Sequence, residues 1–486
     1  MKPIKDYNIL VILFLLNVII KSIYLGAEPL CHDEPFSVYH AQFEPAQLIA
    51  YLKLYNNPPL FELMLHGWIK VFGISELSVR FLPMLFSSAS VVFLYLIGRD
   101  FFSRRVAVTA SLLFTFSTMQ IWYAHDSRVY SLFLLLTLAS FYLFFGLLRH
   151  GRLKPAKALV LVVANVLLVY SHYFGFFVWF LQGVLVLLNL RRDRIFITFA
   201  GITACALLLY IPQILTLYER FADSATHGTW LKPPIGIESL YNMIWSFSNA
   251  PVCAVLGLAL LLAMLVKYAR WRPSGQGNRM ALYTAVWFLL PLLLMFGLSY
   301  WVPMFLDRYL IFITPAYYLL LAYALAFLFP GRRLFYGSGA VLVICFMVCC
   351  SWNPSKKRAV RETVKYIQSH QDTQTLVLAC PPEFMTTFVY YYHQDYFRQI
   401  APGSEYGLLS DLLAKDRVLF IERLSPELLD MASHYRQIIY LDAGADFAFP
   451  DNQIKNELLQ RYRLREEHQE PEFFHMYVLE NTTAAH

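Results

Sequence analysis

The stretch Pro58-Pro-Leu-Phe-Glu-Leu-Met-Leu-His-Gly-Trp-Ile-Lys-Val-Phe72 decides how the chain is threaded. It is apolar, but it is shorter than the roughly 20 residues a membrane crossing needs. It also sets Glu62, His66 and Lys70 on one helical face. That pattern predicts an amphipathic helix from Leu60 to Val71, started by the paired prolines and lying in the outer membrane interface rather than crossing.

The wider composition requires a membrane. The 486 residues are 58% hydrophobic and only 15% charged, with mean hydropathy +0.48, well below the charge of an ordinary soluble domain. Eleven apolar runs are candidate spans, near 7–26, 77–98, 104–121, 128–148, 156–171, 173–190, 195–216, 250–267, 280–300, 309–329 and 334–351. The N-terminal run lacks a small-residue cleavage site and reads as a first span, not a signal peptide. The seven cysteines are odd in number and follow no metal or disulfide spacing.

Basic residues give the orientation. Residues 1–351 hold 26 basic and 14 acidic side chains. Eighteen of the basic ones fall in alternate loops: Lys2/Lys5, Arg99/Arg104/Arg105, Arg149/Arg152/Lys154/Lys157, Arg191/Arg192/Arg194, Lys267/Arg270/Arg272/Arg279 and Arg332/Arg333. Positive loops stay cytoplasmic, so the N-terminus is expected inside and, after eleven spans, the C-terminal region outside, with the chain in the cytoplasmic (inner) membrane. The threading holds only if Pro58–Phe72 does not cross.

From residue 352 the balance turns acidic, with 14 basic and 19 acidic residues. Helical and strand patterns alternate there: helices over 359–370, 383–392 and 426–435, strands over 375–379, 418–422, 437–441 and 475–479. The expected architecture is therefore a polytopic α-helical membrane domain over 1–351, with interfacial helices in its first outer loop, and a small extracytoplasmic α/β domain over 352–486. That second region carries no phosphate loop, nucleophile motif or ligand cluster, and no chemistry is assigned to it.

The remaining ionisable groups crowd one face. Asp33 and Glu34 follow the first span in EPLCHDEPFSVYH, and Pro35 pushes Glu34 away from helical backbone before a second interfacial helix over 36–50. Alone, such a pair is equally read as solvated interface charge; as a site, a carboxylate there can take a proton from an acceptor hydroxyl. Asn56-Asn57 is a helix-start turn or a binder of polar substrate groups. A single boundary arginine snorkels to headgroups, but Arg80, Arg128 and Arg308 stand on three helices at one level, and guanidinium forks suit a lipid phosphate. His172, in YSHYFG, occupies a short outer turn. His125 and His172 lack a multi-ligand spacing, which leaves no certain cofactor and a divalent metal open. Ionisable groups at this depth are functional candidates by default, and one outward-facing cavity accounts for all of them.

At these residues the chain resembles GT-C superfamily membrane glycosyltransferases, specifically the family 39 group of dolichyl-phosphate-mannose protein mannosyltransferases and the bacterial lipid A aminoarabinose and galacturonic acid transferases. Six motifs occur in order: Asp33-Glu34 after the first span, PPLFELMLHGWIKVFG, SVRFLP, YAHDSRVYSL, SHYFG and DRYLIF. The resemblance implies inverting transfer of a sugar from a polyprenyl-phosphate donor to a protein, lipid A or polysaccharide acceptor outside the cytoplasmic membrane. It implies Asp33 as general base and Glu34 as its helper. Arg80, Arg128 and Arg308 become the phosphate ligands, and His172, Asn57 and Tyr130 further substrate-binding candidates. Membrane lipid is the expected surrounding; nothing points to nucleic acid. Two positions depart from the pattern. Asn56-Asn57 replaces the histidine of the mannosyltransferases and the Glu-Lys of the aminoarabinose enzymes, and Phe36 stands where the latter carry arginine after Asp-Glu-Pro, which argues against an aminoarabinose substrate.

Two other functions fit part of the pattern. A transporter or flippase of polyprenyl-linked sugars would place its polar groups at mid-span on broken helices, whereas here they sit at one face. A non-catalytic envelope assembly protein would not need both carboxylates and the arginines.

Overall fold

The computed structural model describes residues 5–55, 57–189, 193–227, 231–271, 276–353, 359–401, 403–449, 451, 453–470 and 474–481. Asn56, Lys2 and the Arg191/Arg192 pair lie outside them. The chain divides into two compact units. One gathers Met1–Leu25, Leu52–Trp68 and Leu77–Pro354; the other gathers Gly26–Tyr51, Ile69–Glu76 and Ser355–His486.

In chain order the helices up to the second unit's main body are α1 (Asp6–Ser22), α2 (Glu34–His40), α3 (Pro45–Leu52), α4 (Leu60–Phe72), α5 (Glu76–Phe101), α6 (Arg104–Thr115), α7 (Thr118–Ala124), α8 (Tyr130–His150) and α9 (Pro155–Ser171). They continue as α10 (Gly175–Leu187), α11 (Asp193–His227), α12 (Glu238–Phe247), α13 (Pro251–Trp271), α14 (Gln276–Leu298), α15 (Asp307–Leu310), α16 (Thr314–Leu328) and α17 (Arg332–Val348). Each apolar run expected as a span is mainly helical over its described residues. Among the described residues six helices are long and apolar enough to cross a membrane, with α15, the 3-10 turn Ile311–Ile313 and α16 counted as one over Asp307–Leu328, or seven if α6 and α7 form one bent span; α9 and α10 are shorter apolar helices.

The run expected as one span over 104–121 is broken. Ser117 caps α7 by accepting from the Gln120 amide at 3.4 Å, and the two helices meet at 61°. A serine that satisfies amides locally starts a new helix instead of continuing the old one. α16 is the core of this unit: Thr314 to Ala322 are buried without interruption, as a helix apolar all round requires. Trp287 of α14 stacks on Phe141 of α8 at 3.9 Å and donates its indole N–H to the Phe312 carbonyl at 3.1 Å.

The helix expected over 36–50 is two helices, α2 and α3, interrupted ahead of Pro45, which cannot continue a hydrogen-bonded run. The polar stripe of α4 was expected to face the interface. Lys70 is exposed, but Glu62 and His66 are buried, while Val71 and Phe72 are exposed. In a membrane the apolar face can meet lipid, so Glu62 and His66 turn inward to find partners.

The second unit continues with α18 (Val360–His370), β1 (Thr375–Cys380), α19 (Met385–Tyr392), α20 (Gln394–Phe397), α21 (Gly407–Lys415), β2 (Val418–Phe420), α22 (Pro426–Ser433), β3 (Gln437–Asp442), α23 (Ala445–Ala448), α24 (Ile454–Arg461), β4 (Arg463–Glu470) and β5 (Phe474–Glu480). The strands form one sheet in the order β2-β1-β3-β5-β4. β1 runs parallel to β2 and β3, and β5 runs antiparallel to β3 and β4. Leu376, Leu378, Ile438, Tyr440, Tyr477 and Leu479 line one buried face. β4 lacked an apolar alternation, and the sequence pattern missed it.

Candidate active site

The carboxylate pair belongs to the second unit. His32 takes a left-handed backbone conformation at φ 58°, a region that costs a side-chain-bearing residue energy, and reverses the chain just ahead of α2. Pro35 sits in the first turn of α2, where its missing N–H loses nothing. The result separates the two acids. Glu34 is fully buried, its Oε2 accepting from the Cys31 amide at 3.3 Å, while Asp33 at the N-cap is exposed.

At its other end α2 is held by the rest of the unit. The His40 ring bonds the Phe36 carbonyl at 2.8 Å through Nδ1 and Glu405 Oε1 at 2.7 Å through Nε2. Tyr39 donates to the Glu405 carbonyl at 3.1 Å and stacks on Tyr406. The segment before α2 is tied as well. The Leu30 amide donates to the Tyr391 hydroxyl, Arg361 donates to the Ala27 carbonyl at 2.9 Å and to Glu76 Oε1 at 2.6 Å, and Tyr391 donates to the same Glu76 oxygen at 3.0 Å. Burial and the Glu76 charge push the Tyr391 hydroxyl well above its usual range. Neither His40 nor Glu405 stood out in the sequence. His40 resembled any polar helix residue, and Glu405 lies in an irregular loop without periodicity.

The arginines belong to the first unit. Arg80 of α5 is 1% exposed and reaches the Leu25 carbonyl at 3.5 Å; an arginine so enclosed does not snorkel to a headgroup surface. Beside it, Ser127 donates to the Val79 carbonyl at 3.1 Å, which brings the loop before α8 against the same turn of α5. Arg128 is buried, donates to Asn57 Oδ1 at 3.1 Å and stands 3.9 Å from Glu62 Oε1. Asn57 thus orients an arginine. Glu62, read from the sequence as an interfacial charge, joins the site; its burial could have been foreseen only from a partner distant in sequence.

His172 lies in the turn between α9 and α10. Its ring packs on Phe133 at 4.9 Å, Phe174 at 5.3 Å, Tyr309 at 5.8 Å and Tyr130 at 6.1 Å. Burial, reinforced by the charges of Arg128 and Arg308, pushes its pKa down to about 3. Arg308 itself stands over the Tyr309 ring at 5.4 Å, and Tyr123, edge-on to Tyr130, donates to Asp307 Oδ1 at 3.0 Å. Arg128, Arg308, His172 and Tyr130 are therefore brought together. The His125 Nε2 bonds the Lys21 carbonyl at 2.8 Å, a link that fastens the end of α1 to the loop after α7. Among the described residues no group of three or more His, Cys, Asp or Glu side chains is placed to hold a metal ion.

Residues 56–218 match the family model described as dolichyl-phosphate-mannose-protein mannosyltransferase. No curated protein matches the chain by sequence. Among solved structures it is similar to ArnT from Cupriavidus metallidurans in the apo state, at 12% identity and TM-score 0.59, covering 99% of this chain and 100% of that one. The same protein bound to undecaprenyl phosphate aligns at 12% identity and TM-score 0.58, covering 99% of each chain. The archaeal oligosaccharyltransferase AglB from Archaeoglobus fulgidus, in complex with an inhibitory peptide and a dolichol-phosphate, aligns at 11% identity and TM-score 0.55, covering 96% of this chain and 74% of that one. The resemblance to GT-C membrane glycosyltransferases, carried first by six short motifs, is thus borne out by a family model over part of the chain and by the fold over nearly all of it.

Proposed function

We propose that the protein is an inverting glycosyltransferase that moves a sugar from a polyprenyl-phosphate donor to a protein, lipid or polysaccharide acceptor on the outer face of the cytoplasmic membrane. The observation that carries this reading is the gathering of Arg128, Arg308, His172 and Tyr130, with Arg80 enclosed beside the loop that bears Arg128. A similar fold has been solved with undecaprenyl phosphate. The alternation of basic loops supports eleven spans with the N-terminus inside and the C-terminal unit outside.

The chemistry follows from the residue types. Asp33, exposed at the start of α2, removes the proton from an acceptor hydroxyl, and the freed oxygen attacks the anomeric carbon. The bond from that carbon to the phosphate oxygen breaks, and the electron pair leaves with the polyprenyl phosphate. Inversion requires the base on the side away from the leaving group. The phosphate gains negative charge as it departs, and preformed guanidinium groups stabilise that charge; Arg80, Arg128 and Arg308 take this role. Glu34, buried and bonded to its own turn, holds Asp33 in place. His172, neutral beside two cations, can hydrogen-bond the donor without adding charge.

The test uses purified protein in proteoliposomes with a panel of undecaprenyl-phosphate hexoses and pentoses and an envelope extract as acceptor, read as release of undecaprenyl phosphate. Asp33→Asn is expected to abolish release while undecaprenyl phosphate still binds. Release near the native rate in that variant overturns the base assignment. Mass spectrometry of glycolipids and glycoproteins from a deletion strain names the sugar and the acceptor.

A further inference from the structure

We propose that the C-terminal region is a positioning element of the transfer reaction, acting on Asp33 through the His40–Glu405 contact; this rests on the reading of Asp33 as the base. The segment that carries Asp33 and Glu34 packs as part of the C-terminal unit. α2 is a short helix of seven residues, too short to hold its own direction in isolation. Its direction is set by what grips its ends. At the C-terminal end, His40 is fully buried and Glu405 partly so, with side-chain exposures of 0% and 17%. Both ring nitrogens face acceptors, the Phe36 carbonyl and the Glu405 carboxylate, so the ring is clamped in orientation as well as position. Tyr39 adds a second bond to the same loop. At the other end, Arg361 and Tyr391 hold Ala27, Leu30 and Glu76.

The contacts from Glu405, Arg361 and Tyr391 reach the carboxylate segment from residues far along the chain. None of them touches Asp33, so His40 and Glu405 are positioning residues. Misplacing a catalytic group by about 1 Å costs on the order of 100-fold in rate, and that is the size of effect the contact is placed to prevent.

The experiment combines turnover with amide hydrogen exchange of the 34–40 segment in the full-length protein. Glu405→Ala is expected to lower undecaprenyl phosphate release about 10- to 100-fold through kcat, to leave the donor KM near native, and to speed exchange across α2. Glu405→Gln is expected to recover most of the rate and the protection, because its amide can still hydrogen-bond His40 Nε2 while Nδ1 keeps its bond to Phe36. Should Glu405→Ala not fold, Tyr39→Phe removes one bond from the same contact and is expected to move kcat and exchange in the same direction. Native kcat, or native protection of α2, in the folded variant overturns the proposal, as does a change confined to KM. An active Asp33→Asn, by contrast, refutes the base assignment while the exchange result still reports on the contact.

Discussion

At the scale of single residues, the two adjacent acids differ in burial. Asp33 is exposed and Glu34 is enclosed against its own turn, so exchanging their order should be as damaging as deleting either. Arg128 is fixed by Asn57 and stands near Glu62. Arg128→Lys keeps the charge but loses the planar fork, and undecaprenyl phosphate binding to the variant should weaken about tenfold or more, measured by calorimetry or competition in proteoliposomes. His172 gives a pH prediction. Its pKa of about 3 lies below the ordinary value of 6.5, so below pH 6.5 the unfolded chain binds a proton that the folded protein refuses. Stability therefore falls as pH drops from 6.5 towards 3, by at most about 1.4 kcal/mol per unit. The thermal midpoint of His172→Gln in detergent should fall less between pH 7 and pH 5 than that of the native protein. The candidate residues could be named from the sequence because arginine, acid and histidine at apolar boundaries are costly without a use. Their pairing could not, because Glu62 reads as an interfacial charge and Asn57 as a substrate binder until the fold brings Arg128 to both.

At the scale of elements, the turn between α9 and α10 depends on close approach. A Cβ on Gly175 would stand 2.9 Å from the Leu168 carbonyl oxygen and 3.0 Å from the Val169 Cα, main-chain atoms that cannot swing aside. Gly175→Ala should lower stability by about 1–3 kcal/mol and reduce donor binding, since the same turn carries His172. A lower thermal midpoint together with weakened undecaprenyl phosphate binding is the expected pair of readings. Helices were legible here because long apolar runs and capping residues act locally. The bend between α6 and α7 was hidden inside one apolar run, since only Ser117 marks it. α4 illustrates the reverse error: the period correctly gave a helix with a polar stripe, but of that stripe only Lys70 stays exposed, while Glu62 and His66 are buried.

At the scale of the whole molecule, the chain's order conceals its grouping. Gly26–Tyr51 and Ile69–Glu76 lie in the sequence of the membrane region yet pack with the C-terminal unit, a fact no linear reading of composition can yield. A chain ending at Pro354 should therefore still insert and bind undecaprenyl phosphate yet show no transfer. The orientation is open to labelling. With Cys205, the one exposed native cysteine among the described residues, replaced, a cysteine at the exposed Ser369 should react with a membrane-impermeant maleimide in intact spheroplasts. Protection there in a folded variant would reverse the threading.

The edges of the sheet in the C-terminal unit limit how another chain can dock on it. One edge strand, β2, spans only Val418–Phe420, and the other, β4, reads Arg-Leu-Arg-Glu-Glu-His-Gln-Glu with a register irregularity between Leu464 and Glu466. Short edges and charged, irregular edges both resist the docking of another strand. A peptide is therefore poorly placed to be enrolled as an added strand, a mode in which main-chain bonds supply affinity regardless of side chains. Contacts of this unit with other molecules fall instead to its loops and side chains, which vary readily without disturbing the sheet, so what the unit meets can change while its framework stays the same.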